Sequence, residues 1–128
     1  MAPARSATFQ SVAKKVLAAE IDGVLRDATI PLTQDCSLRL LTWDDENGKA
    51  SFWHSSAHLM AEAIQAFYPQ AKFTIGPPIE NGFYYDVDFG DESFTADQIP
   101  AIEKKMMALA QQDNPFELYP MSKEEALA

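Results

Sequence analysis

Phe9, Val12, Ala13, Val16 and Leu17 recur at helical spacing, so the first periodic stretch predicts a short helix over residues 9–19. The pattern then changes to that of strands. Glu20-Ile21 and Val24-Leu25-Arg26 flank Asp22-Gly23, a dipeptide that supplies the positive backbone angles of a tight hairpin turn. Ile30-Pro31-Leu32 leads into another strand over residues 36–43, where alternation sets Leu38 and Leu40 on one face. The run Asp44-Asp45-Glu46-Asn47-Gly48-Lys49 carries charge and turn residues with nothing to bury. It reads as the boundary between two units, with the break near residue 48.

Beyond the break the period is helical again. A helix is predicted from Ser51 or His54 to Tyr68, with Met60, Ile64 and Phe67 forming its buried stripe and Pro69 stopping it. Lys72-Phe73-Thr74-Ile75 and Gly82-Phe83-Tyr84-Tyr85-Asp86-Val87-Asp88 read as two strands around a stiff Gly76-Pro77-Pro78 bend. Thr95 with Gln98 forms a capping-box signature ahead of Ile99, Ile102, Met106 and Leu109, which repeat as one helix face. Ser122 with Glu125 repeats that signature, so a helix is expected to begin just before the last residue. The pattern as a whole is α+β.

Composition adds boundaries rather than a function. The 128 residues are 47% hydrophobic and 23% charged, with no apolar run approaching a membrane span of about 20 residues. A soluble protein without a membrane partner is expected. The opening residues lack the basic-then-apolar layout of a secretory signal, and Cys36 is the only cysteine, so a cytoplasmic location is the default expectation. Nineteen acidic and ten basic side chains leave a net charge of −9. That field opposes the approach of a phosphate backbone, so contacts to any RNA partner should come largely from elsewhere in a larger protein.

His54 and His58 are the only histidines, and a spacing of four places both on one helix face. They either line a polar edge or work together. A zinc-protease pattern would need Glu where Ser55 stands. A closed metal site would need further ligands, and no matching spacing supplies them, so no metal is expected here. Acid–base work on a water or a ribose hydroxyl suits paired imidazoles. The run Gly76-Pro77-Pro78-Ile79-Glu80-Asn81-Gly82-Phe83-Tyr84-Tyr85-Asp86 is either a preformed pocket wall or a tight hairpin with core aromatics. Trp43 and Trp53 read as core or interface residues.

Together, residues 54–63, His-Ser-Ser-Ala-His-Leu-Met-Ala-Glu-Ala, and residues 74–86, Thr-Ile-Gly-Pro-Pro-Ile-Glu-Asn-Gly-Phe-Tyr-Tyr-Asp, closely resemble the opening of the editing domain of threonyl-tRNA synthetases. Residues 18–23 and the strand ending Leu41-Thr42-Trp43 resemble the later part of the ubiquitin-like TGS domain that precedes it. The resemblance covers nearly all of the chain after residue 10. It implies a partial β-grasp TGS domain over residues 1–48, followed over residues 49–128 by a two-layer half of the editing domain shared by threonyl and alanyl enzymes. It implies that His54 and His58 are catalytic, and that Gly76 and Tyr85 wall the pocket in which serine wrongly attached to threonine tRNA is hydrolysed. It also implies a larger parent, a class II homodimer that attaches threonine to its tRNA and uses ATP, Mg and Zn in an aminoacylation core absent here. This segment itself is expected to need no cofactor and to meet only the tRNA acceptor end. Two departures stand out: the strands that normally open a TGS domain are not apparent, and the family's second active-site half, a Cys with a His four residues later, is missing. The isolated segment is therefore expected to be inactive. TGS domains also occur outside synthetases, which leaves a non-catalytic binding module as the alternative.

Overall fold

A computed structural model describes residues 11–117 and 119–128. Residues 11–13 are helical and a turn closes where the Lys15 amide donates to the Val12 carbonyl at 2.8 Å. The predicted first helix is therefore corrected at its end; its residues 9 and 10 lie outside the described residues. Ala18 and Ala19 leave the helical pattern because sheet pairing claims them. The Leu17 amide donates to the Leu41 carbonyl at 2.8 Å, opening a three-stranded antiparallel sheet. Its strands are β1 (Ala18–Ile21), β2 (Val24–Arg26) and β3 (Leu38–Leu41), in the order β2-β1-β3. The β1–β2 turn has φ 51° at Asp22 and 79° at Gly23, the two left-handed residues that a primed hairpin turn requires. On β3 the residue turned inward is Leu41, fully buried, while Leu38 stays exposed.

Helix α1 (Glu46–Phe67) starts earlier than the polar run suggested and passes straight through the expected break at residue 48. The cause is a close approach. A Cβ on Gly48 would lie 2.0 Å from the Thr42 carbonyl oxygen, so only glycine lets the first helical turn rest on the end of β3. Asp45 holds the same junction from the other side: its carboxylate accepts from the Thr42 amide at 2.9 Å and from Arg39 Nη2 at 2.7 Å. Arg39 also reaches Glu20 on β1, and Asn47 donates to that same carboxylate.

The 22 residues of α1 span about 33 Å. Helix α2 (Ile99–Gln112) packs against it, and Ala63, Ile64, Tyr68, Ala71, Ile102 and Leu109 form the core between them. Of the predicted α1 stripe, Ile64 is buried and Met60 packs against the core, but Phe67 is half exposed and Tyr68 takes the inward place. On α2, Ile102 and Leu109 face in as expected and Met106 borders them, whereas Ile99 is exposed. Both capping boxes form: the Thr95 amide donates to Gln98 Oε1 at 2.7 Å, and Ser122 and Glu125 exchange bonds at the start of α3 (Lys123–Leu127).

Between the two long helices, β4 (Lys72–Phe73) pairs with β7 (Val87–Asp88), and a smaller hairpin of β5 (Pro78–Ile79) and β6 (Gly82–Phe83) is nested inside. The Thr74 amide to Asp86 carbonyl and Asp86 amide to Ile75 carbonyl bonds, each 3.1 Å, prolong the outer ladder. The molecule is thus mixed α+β, with small antiparallel sheets and helices. Among the described residues no helix is long and apolar enough to cross a membrane.

Two tests address the β3–α1 junction. Helix propensity alone says Gly48→Ala should stabilise by up to about 1 kcal/mol. The contact with Thr42 reverses the sign, and a loss of about 1–3 kcal/mol is expected in urea unfolding. The hydrogen bond from the Thr42 amide, with Arg39 beside it, holds the Asp45 carboxyl below its ordinary value of 3.8. A lowered folded pKa contributes stability that is present above the unfolded value and lost as pH falls through the folded one. Asp45→Asn is therefore expected to flatten the acid limb of a melting-temperature profile below about pH 4.

Candidate functional site

Both histidines lie on the exposed side of α1, one turn apart, while Ala57 between them is buried. His54 Nε2 and His58 Nε2 are 3.1 Å apart, and the ring planes cross at 86°. A contact of this length between two ring nitrogens requires one to carry hydrogen and the other a free lone pair. The pair therefore holds a proton donor and a proton acceptor side by side at the surface.

The other wall comes from the stretch between β4 and β7. His54, Ala57, His58, Thr74, Ile75, Gly76, Pro77, Pro78 and Tyr85 line an open depression of about 450 Å³. No charged side chain is among them. The β5–β6 hairpin packs on α1, with Trp53 and Phe83 centroids 6.3 Å apart, and this carries the Gly76-Pro77-Pro78 bend alongside the imidazoles. Tyr85 lies against Gly76: a Cβ there would come within 2.5 Å of Cδ2 and 2.6 Å of Cε2. Phe73 meets the same tyrosine edge-on at 5.5 Å. Of the three successive aromatics, Phe83 and Tyr85 are half-buried and Tyr84 is exposed. The glycine–proline run thus forms a hairpin whose aromatics are at most half-buried, and its Gly76-Pro77-Pro78 bend lines the depression.

All four residues singled out from the sequence, His54, His58, Gly76 and Tyr85, meet in this one depression. Sequence reasoning did not place Phe116 nearby. It follows α2 and brings its ring to 6.4 Å from His58, a contact that crosses 58 residues of chain and leaves no local pattern to read. Phe116 also joins Phe52, Ser55, Leu59 and Leu109 in a neighbouring groove of about 520 Å³ between the long helices. Trp43, Phe52 and Trp53 pack edge-to-face at 5.2–5.6 Å, and Trp43 is 45% exposed. The Trp53 indole N–H is buried without a hydrogen-bond partner among the described residues. Cys36, half-buried, is a free thiol.

Gly76→Ala tests the wall directly. The added methyl group cannot share space with the Tyr85 ring, so the ring must leave the bend. A displaced set of Tyr85 aromatic resonances is expected in NMR spectra, with the helix resonances of residues 99–112 unmoved. An unshifted Tyr85 would show that the ring does not rest on Gly76.

No protein-family model matches the chain. It is, however, 52% identical over 119 residues to a threonine–tRNA ligase of Cytophaga hutchinsonii, covering 93% of this chain and 18% of that protein. A threonine–tRNA ligase of Porphyromonas gingivalis is 55% identical over 96 residues, covering 74% of this chain and 15% of the relative. That of Acetivibrio thermocellus is 40% identical over 116 residues, covering 91% of this chain and 18% of the relative. Agreement at this level over nine-tenths of the sequence makes the chain a segment of the threonine–tRNA ligase family, spanning less than a fifth of the length of the relatives it matches.

Proposed function

We propose that residues 49–128 are the histidine-bearing half of a hydrolytic editing site in a threonine–tRNA ligase, and that residues 1–48 are the later part of a β-grasp TGS domain. The observation that carries this reading is the 3.1 Å pair of imidazole nitrogens facing the Gly76–Tyr85 wall. The substrate is the ester of serine on threonine tRNA. Serine lacks one methyl group of threonine, a difference worth only about 1–3 kcal/mol in a single binding step, so a second, hydrolytic selection is needed.

In this reading a water enters between the imidazoles and the Gly76 wall. The nitrogen that accepts within the pair takes the water's proton as the water oxygen bonds to the ester carbonyl carbon; when the carbonyl re-forms, the ester C–O bond to the ribose breaks and the imidazolium returns that proton to the ribose oxygen. The other imidazole, a donor, orients the water or the ribose hydroxyl. Since each nitrogen is occupied by the other in the free protein, substrate binding has to separate them. The exchange costs little, because both rings are at the surface and water replaces the lost bond. Gly76, with no Cβ, keeps the backbone accessible, and Tyr85 closes one side.

The parent would attach threonine to its tRNA with ATP as a class II homodimer in the cytoplasm, with Mg and Zn in a separate aminoacylation core. Among the described residues no three His, Cys, Asp or Glu side chains gather as a closed metal site would require, and no step here passes through a metal or a nucleotide. The acidic balance supports a division of labour in which other parts of the parent grip the tRNA phosphates and this segment meets only the acceptor end. Exposed Phe116, Tyr119, Met121 and Leu127 support packing against such further parts.

The test has two arms. The isolated chain should release serine from serylated threonine tRNA no faster than buffer does, because the matching Cys–His half-site is absent. In a full-length ligase carrying these residues, His54→Ala/His58→Ala should slow that release by about 10²- to 10⁴-fold, the range for general-base assistance, and leave threonine attachment unchanged. Unimpaired release in the double variant would refute the assignment.

A further inference from the structure

The tripeptide Glu-Asn-Gly occurs twice in the chain, as Glu46-Asn47-Gly48 and as Glu80-Asn81-Gly82. An Asn-Gly pair is chemically labile, because a glycine nitrogen, with no Cβ beside it, can fold back onto the asparagine side-chain amide carbon. Whether it does so depends on the surrounding structure, which differs completely between the two copies. We infer that Asn81, at the tip of the β5–β6 hairpin, is a site of spontaneous deamidation, and that the fold protects Asn47.

At the hairpin tip the reaction has room. Asn81 lies in the exposed turn between Ile79 and Gly82, and its side chain makes no hydrogen bond among the described residues. Gly82 has φ 142°, and a Cβ built on it would meet nothing within 4 Å, so no neighbour crowds the bend that closes the ring. The ladder behind the turn is two residue pairs long, Pro78 with Phe83 and Ile79 with Gly82, so fraying its tip costs little. The first turn of α1 presents the opposite case. Gly48 is buried, its Cβ position is 2.0 Å from the Thr42 carbonyl oxygen, and Asn47 Nδ2 donates to Glu20 Oε1 at 3.3 Å. Its nitrogen can reach the Asn47 side chain only after that helical turn has opened. The remaining asparagine, Asn114, precedes Pro115, whose nitrogen has no hydrogen to give up.

In the reaction the Gly82 nitrogen loses its proton to hydroxide and bonds to Cγ of Asn81. The bond from Cγ to Nδ2 then breaks, and the nitrogen takes a proton from water and leaves as ammonia. Water opens the resulting cyclic imide in one of two ways. Attack at Cγ gives ordinary aspartate, whereas attack at the main-chain carbonyl reroutes the backbone through Cβ and Cγ as isoaspartate. Both products carry a new negative charge, but only isoaspartate adds a methylene to the main chain. A two-residue turn cannot absorb that addition and keep Pro78 opposite Phe83. Pro78 lines the depression and the Phe83 ring lies 6.3 Å from Trp53, so the damage reaches the wall of the site. None of this depends on whether the site hydrolyses an ester.

The experiment ages the whole chain in mildly alkaline buffer, folded and in urea, and maps its peptides by mass spectrometry. In the folded chain the mass gain from replacing NH₂ by OH should arise at Asn81 at least about tenfold faster than at Asn47, the ratio that follows if opening the helical turn costs about 1.4 kcal/mol or more. In urea the two identical tripeptides should convert at similar rates. Asn81→Gln, an exposed substitution, should abolish conversion at that position and leave Asn47 unchanged. The isoaspartyl form, separated chromatographically, should show a displaced Trp53 indole resonance, which Asn81→Asp, with the charge but without the methylene, should not. An intact Asn81 in the aged folded chain, or a rate there no greater than at Asn47, would overturn the assignment. An isoaspartyl form with the Trp53 resonance of Asn81→Asp would overturn the displacement of the hairpin.

Discussion

The contact between Gly48 and the Thr42 carbonyl determines where everything after it can lie. Helix α1 is the wall on which α2, the nested hairpins and the histidine pair are all arranged, and its direction is set in its first turn. There the helix backbone reaches a distance from β3 that no side chain would permit. Asp45 secures the same point by accepting the Thr42 amide while its own amide donates to the Thr42 carbonyl at 3.1 Å. A carboxylate bonded in this way also draws in Arg39, and through Arg39 and Asn47 the β1 residue Glu20. These ion pairs are solvent-exposed and individually weak. Their importance is directional, since they converge on one strand–helix corner.

Packing around α1 relies on rings and small residues more than on large aliphatic side chains. Among the described residues, Leu41 is the largest side chain that is fully buried, and alanines at 18, 19, 57, 63 and 71 make up half of the buried apolar set. Small residues let the helices and strands come close, and aromatic edges fill the space around them. Tyr68, Phe89 and Phe94 form one such group beside the α1–α2 core. Trp43, Phe52, Trp53 and Phe83 form another, which holds the β5–β6 hairpin on the helix. Each edge-to-face or offset pair contributes about 0.5–1.5 kcal/mol beyond its area. The second group shapes the depression, because it holds the bend that faces His54 and His58.

The depression formed in this way sets a hydrogen-bonded imidazole pair against a rigid, uncharged wall. Its defining feature is a donor and an acceptor 3.1 Å apart on a helix surface.

Features stabilised within a few residues could be read from the sequence. Asp22-Gly23 turns because two consecutive left-handed residues are cheapest there, and the Thr95/Gln98 and Ser122/Glu125 boxes close through bonds between residues three apart. The four-residue spacing of His54 and His58 likewise guaranteed a shared face once the helix was recognised. Tertiary structure alone decided the rest. The strand identity of Ala18 and Ala19 is imposed by pairing with β3, against a local helical pattern. The helix through Glu46-Asn47-Gly48 exists because Thr42 lies beneath it, so residues that read as a linker became the joint. Tyr68 replaced Phe67 in the core because Phe89, Phe94 and α2 approach from its side. Tyr85 over Gly76 and Phe116 beside His58 are contacts across 9 and 58 residues of chain. Sequence periodicity records which face an element buries, but the partner that face meets is set by where the rest of the chain folds back upon it.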